Sequence, residues 1–96
     1  MSEFTQFMEK EQEKLDLYTQ AVVKVHGKNH PEIFKVESLY QDLQAHKGKD
    51  FGKIEEIFQE LRQVTDHYKV PEDVCETYRA VYSTLEEADA HYSHAK

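Results

Sequence analysis

The chain has 96 residues, 39% hydrophobic and 32% charged, with three glycines, two prolines and no tryptophan. These proportions suit a single helical domain over residues 1–96, near the small end of what buries its own core. Nineteen acidic residues against twelve basic ones give a formal charge of -7, which repels phosphate backbones and argues against nucleic acid as a partner.

No apolar run has the length to span a bilayer, and the first residues carry no hydrophobic signal region. One cysteine, Cys75, excludes an internal disulfide. A cytoplasmic protein without membrane contact is the expectation.

Four helices are predicted. The first runs from Ser2, a cap, to His26, with Phe4, Phe7, Met8, Leu15, Tyr18, Val22 and Val25 on one stripe. Gly27 is suited to end it in the left-handed conformation that glycine adopts cheaply. The second opens at Asn29-His30-Pro31-Glu32, with a cap at Asn29 or His30, Pro31 in the first turn and Glu32 reaching back to a free amide. Ile33, Val36, Leu39, Tyr40 and Leu43 face inward, His46 continues that row, and Gly48 stops the helix.

The third helix is predicted from Asp50 to Tyr68, burying Phe51, Ile54, Ile57, Phe58, Leu61 and Val64. The last spans Pro71 to Lys96, with Val74, Tyr78, Val81, Leu85, Ala88 and Tyr92 as its stripe. Pro71 suits the first turn, and Glu72 and Asp73 suit the positive end of the helix dipole. The short breaks force neighbouring helices to run antiparallel, so the expected fold is an all-α, up-down-up-down antiparallel four-helix bundle.

That arrangement sorts the histidines by end. His26, His30, His67 and Cys75 belong to one end; His46, Asp50, His91, His94 and Glu3 belong to the other. The helical rise from His30 to His46 is roughly 24 Å, too far for one metal ion to reach both ends. The better metal candidate is the second group: His46 and Asp50 in a His-x-x-x-Asp spacing, with His91 and His94 as an i, i+3 pair. Histidines with a carboxylate suit iron, zinc or manganese. Gly48 falls between His46 and Asp50 and breaks that spacing, and the plainer reading is of helix-end histidines favoured by the dipole.

His26 and His30 read as turn-capping residues, and His67 as solvated. Cys75 stands in a first turn, where a helix dipole can activate a thiol, but its place beside the apolar stripe reads as a buried, inert cysteine. No nucleophile-and-base constellation, glycine-rich phosphate loop or paired-cysteine zinc spacing is present, so the chain is not expected to be an enzyme.

Two stretches resemble a known family. Val23 to Glu32, with its His26-Gly27-Lys28-Asn29-His30-Pro31 core, resembles the turn after the first bundle helix of the Repair of Iron Centres family. Gly52 through Leu61, then Thr65, Tyr68, Pro71, Cys75, Thr77-Tyr78-Arg79, Tyr82, Leu85 and Asp89, resembles that family's final helix pair and its Pro-x-x-x-Cys-x-Thr-Tyr signature. The family comprises hemerythrin-like di-iron proteins of iron–sulfur cluster repair under nitrosative and oxidative stress.

The resemblance implies a hemerythrin-like bundle holding two irons through four histidines and two bridging glutamates. Carried over position by position, the first ligand histidine falls near Thr5. The helix-two pair falls on His46 and Asp50, and the third-helix histidine on Gly48, beside an apparent deletion. The last-helix histidine falls on Ser93, and the final glutamate beyond Lys96. At most a pair of those ligand positions survives, with Phe4, Phe7, Leu43, Phe51 and Leu85 available to fill the interior.

Two functions follow. The first is a shortened hemerythrin-like protein in iron homeostasis or iron–sulfur cluster repair, with no cofactor or a weakly held iron at His46, Asp50, His91 and His94. The second is a metal-free bundle that associates with another protein or with its own copy, through a strip drawn from Phe4, Met8, Phe34 and Tyr40.

Overall fold

The computed structural model describes the backbone of residues 3–95 and the side chains of residues 3–93. Four helices make up the described chain, with no strand among the described residues: α1 Glu3–His26, α2 Glu32–His46, α3 Phe51–Val64 and α4 Glu76–Ala95. The 24 residues of α1 span roughly 36 Å at the helical rise, and this sets the longest dimension of the molecule, 36 Å. Ser2, read as the first cap, lies outside the described residues.

Contacts between side chains fix the directions. Tyr40 reaches Asp16 and Gln44 reaches Met8, so α2 runs back along α1. Phe4 packs on Tyr92 while His26 packs on Tyr78, so α4 is also antiparallel to α1. Phe51 stacks on Tyr92 and Arg62 reaches Asp89, which orients α3 against α4. The result is the antiparallel four-helix bundle expected from the short connections.

The core follows the predicted stripes with informative exceptions. Phe4, Met8, Tyr40, Phe58, Leu61, Tyr78 and Leu85 are fully buried. Phe4 meets Phe58 at 5.7 Å and Tyr92 at 5.8 Å, both edge-on, the arrangement that ring quadrupoles favour. Buried tyrosines keep their hydroxyls partnered: Tyr40 donates to Asp16 Oδ1 at 2.6 Å and Tyr92 to Glu55 Oε1 at 2.8 Å.

On α1 the inward row runs through Thr5, Thr19 and half-buried His26 instead of Val25, which is 67% exposed. Thr19 is tolerated there because its hydroxyl donates to the Leu15 carbonyl at 2.7 Å. Phe51, expected on a buried face, opens α3 and is exposed, covering one side of Tyr92. Of the strip expected to serve association, Phe4, Met8 and Tyr40 are core residues, and Phe34 alone is exposed.

The helix ends differ from expectation in several places. Gly48 is left-handed (φ 73°) and ends α2 as predicted. Gly27 is not; a Cβ there would stand 2.5 Å from the Val23 carbonyl oxygen and 2.7 Å from the Phe34 ring, so close approach demands glycine. Pro31 is the residue before α2 and offers no side-chain cap, while Glu32 turns its carboxylate to His30 instead of to an amide.

α3 stops at Val64, earlier than predicted. Asp66, His67 and Tyr68 then take left-handed backbone in succession (φ 52°, 60° and 65°), a conformation that costs non-glycine residues roughly 1–2 kcal/mol each. Thr65 holds the turn: its hydroxyl donates to the Leu61 carbonyl at 2.6 Å and accepts from the Tyr68 N–H at 2.8 Å. His67, exposed and in the middle of the three, is the place to relieve the strain. His67→Gly should stabilise the fold by about 1 kcal/mol, raising the thermal midpoint followed by circular dichroism by about 4–8 °C. An unchanged or lowered midpoint would show that the turn is not strained.

Candidate functional site

At the end where metal ligands are expected, the described side chains do not come together as a cage. His46 is the last residue of α2, half-buried, and its carbonyl accepts from the N–H groups of Lys49 and Asp50 at 3.0 and 3.3 Å. Gly48 turns the chain between them, so His46 and Asp50 do not share a helical face. Asp50 caps α3, its Oδ1 accepting from the Lys53 N–H at 3.1 Å. The His91 ring lies against Phe7, with centroids 4.7 Å apart, and its Nδ1 is 3.3 Å from Glu3 Oε1. The side chain of His94 lies outside the described residues.

Among the described residues, no three His, Cys, Asp or Glu side chains converge as a metal ion requires. Thr5, where the resemblance places a ligand histidine, is buried near Gly48. Ser93, where it places another, is exposed and donates to Asp89 Oδ1 at 3.4 Å. The donor set of the described residues therefore does not fit a buried di-iron centre, which needs several inward anions and imidazoles.

Asp89 is the buried carboxylate among the described residues, and it is fully occupied. Arg62 grips it with Nε at 2.8 Å from Oδ2 and Nη2 at 2.5 Å from Oδ1, and the Tyr68 hydroxyl donates to Oδ2 at 2.7 Å. The hydrogen bonds that Arg62 donates to Asp89 raise its pKa against the opposing effect of burial, while burial and then the same carboxylate push the Tyr68 phenol up. This fork ties α3, the strained turn and α4 together.

The opposite end is more densely organised. Cys75 was expected in the first turn of a helix begun at Pro71, buried and inert. Instead α4 starts at Glu76, and Cys75 precedes it as an exposed residue whose carbonyl accepts from the Arg79 N–H at 3.2 Å. The segment from Pro71 to Cys75 is drawn across to the α1–α2 turn instead of joining the helix. His30 holds it, with Nε2 2.9 Å from Asp73 Oδ1 and Nδ1 3.1 Å from Glu32 Oε2.

Beside that clasp, His26 Nε2 lies 3.2 Å from Cys75 Sγ. The edge-to-face contacts of Tyr78 with His26 (5.4 Å) and His30 (5.7 Å) fix both imidazoles. The sequence assigned these residues to one end correctly. It missed the nucleophile-and-base pairing because that depends on where α4 begins.

Comparison with known proteins finds distant relatives. The chain is 24% identical to the iron-sulfur cluster repair protein ScdA of Staphylococcus epidermidis over 119 aligned residues, covering 88% of this chain and 53% of the relative. It is 23% identical to the protein of the same name from Staphylococcus haemolyticus over 118 residues, with the same shares. The chain thus spans about half the length of the curated relatives it matches. No family model and no solved structure matches. No helix among the described residues is long and apolar enough to cross a membrane.

The clasp carries a pH signature. Burial pulls the His30 pKa down, but the hydrogen bonds to Glu32 and Asp73, with their charges, outweigh it and leave it above 6.5. A folded pKa above the unfolded one means that the protonated ring favours the folded chain. That contribution is complete below the unfolded value of about 6.5 and is lost as pH rises through the higher folded value. Urea unfolding measured between about pH 5 and 9 should show this loss, and His30→Gln should flatten it. Parallel pH profiles for the two proteins would contradict the clasp.

Proposed function

We propose that this protein serves iron–sulfur cluster repair in the cytoplasm as a shortened, hemerythrin-like bundle, active in recovery from nitrosative or oxidative damage and not itself an enzyme. The observation that carries this reading is the match to proteins named for that repair over 88% of the chain. The excess of 119 aligned positions over the 96 residues of this chain supports a shortened bundle, whose relatives hold additional residues inside the matched span. In this reading any iron is held loosely at His46, Asp50, His91 and His94.

A second reading is a metal-free module that acts by associating with another protein or its own copy. It is favoured by the exposed apolar side chains of Leu17, Val25, Phe34 and Phe51.

Deleting the gene and following aconitase activity after a pulse of nitric oxide tests the repair role. Recovery should slow without the gene and return with the wild-type copy; equal recovery in both strains would contradict it. Anaerobic titration of the untagged protein with ferrous iron separates the two readings. Uptake of about one ion per chain, lost in the His46→Ala/His91→Ala double variant, supports the first, and no uptake with restored recovery supports the second.

A further inference from the structure

We propose that Cys75 and His26 form a thiol–imidazole pair that takes up a low-molecular-weight disulfide, leaving Cys75 in a mixed disulfide. This stands on a different end of the molecule from the metal question and does not depend on the repair reading. Cys75 is an exposed residue, and an imidazole nitrogen lies 3.2 Å from its sulfur although the two residues are 49 positions apart. A nucleophile within hydrogen-bond reach of a base that is itself oriented by further groups is the arrangement that activates a weak nucleophile.

Those further groups are present. Tyr78 presents its ring edge-to-face to His26, and the His30–Asp73 contact, two residues before Cys75, holds the cysteine segment against the α1–α2 turn. His30 and Tyr78 pack on His26, and Glu32, Asp73 and Tyr82 in turn contact those two, with Glu76 next to Cys75 in the chain. His30 is engaged by Glu32 and Asp73. The two phenols bond each other at 3.1 Å, and burial pushes both pKa values up, so they stay neutral. His26 is left as the base in contact with the sulfur.

With the ring proton on Nδ1, His26 Nε2 accepts the Cys75 thiol proton. The thiolate attacks one sulfur of the disulfide, a new S–S bond forms at Cys75, and the old S–S bond breaks. The departing thiolate takes the proton from His26, so one thiol and one disulfide give one disulfide and one thiol. Among these 96 residues no second thiol is present to displace the adduct, so in this chain Cys75 is a modification site reversed by an external thiol.

The probe is 2-hydroxyethyl disulfide, which is small and uncharged, with intact mass followed over time. At pH 7 the wild-type protein should gain one adduct about tenfold or more faster than His26→Gln. Lys49→Gln, altered at an exposed residue of the opposite end of the bundle, should react like the wild type. His26→Asn replaces His26→Gln if circular dichroism shows that the latter disturbs the fold. Equal rates for the wild type and the His26 variants at pH 7 would overturn the proposal. So would a covalent dimer through Cys75 formed in place of the adduct.

Discussion

Phe4 meets Phe58 and Tyr92 edge-on, and this three-ring contact closes the bundle where α1, α3 and α4 converge. Its position matters because Phe4 and Tyr92 are the chain neighbours of Thr5 and Ser93, where the family resemblance would place metal-binding histidines. A buried ion pair of irons would need several inward carboxylates to offset its charge in a low-dielectric interior. Aromatic rings fill space without that requirement. Fully burying rings of this size is worth roughly 1.5–3 kcal/mol each, a large share of what holds so small a domain together.

With the axis filled by rings, the buried polar side chains among the described residues all have partners. Arg62, Asp89 and Tyr68 form one saturated network that anchors a turn of three left-handed residues. That turn delivers the Pro71–Cys75 segment to the α1–α2 connection, where His30 clasps Asp73 and His26 meets Cys75. Strain in one connection, stabilised by a charged fork, thus positions a thiol beside an imidazole.

Helical periodicity made the architecture readable: the stripes through Ile33, Leu43, Ile54, Phe58, Val81 and Leu85 are all buried as their spacing required. What periodicity cannot register is a polar residue satisfied within its own helix. Periodicity therefore selects Val25 for the core, where the structure buries Thr19 and leaves Val25 exposed. Antiparallel packing likewise placed His26, His30 and Cys75 at one end. Their contacts depended on the start of α4, and Pro71 with two acids after it signals a helix start that tertiary hydrogen bonds override here. At the metal candidates the glycine was legible: Gly48 turns the chain between His46 and Asp50, as its place within their spacing implies, and Asp50 becomes a cap.

The claim on which the rest depends is that aromatic packing, and not a set of metal donors, occupies the interior. Urea unfolding of Phe4→Ala against the wild type tests it most directly. A filled, well-packed axis predicts a loss of about 3–5 kcal/mol at an unchanged denaturant slope. A loss below about 1 kcal/mol would mean that the site tolerates a void, and that the rings do not close the bundle.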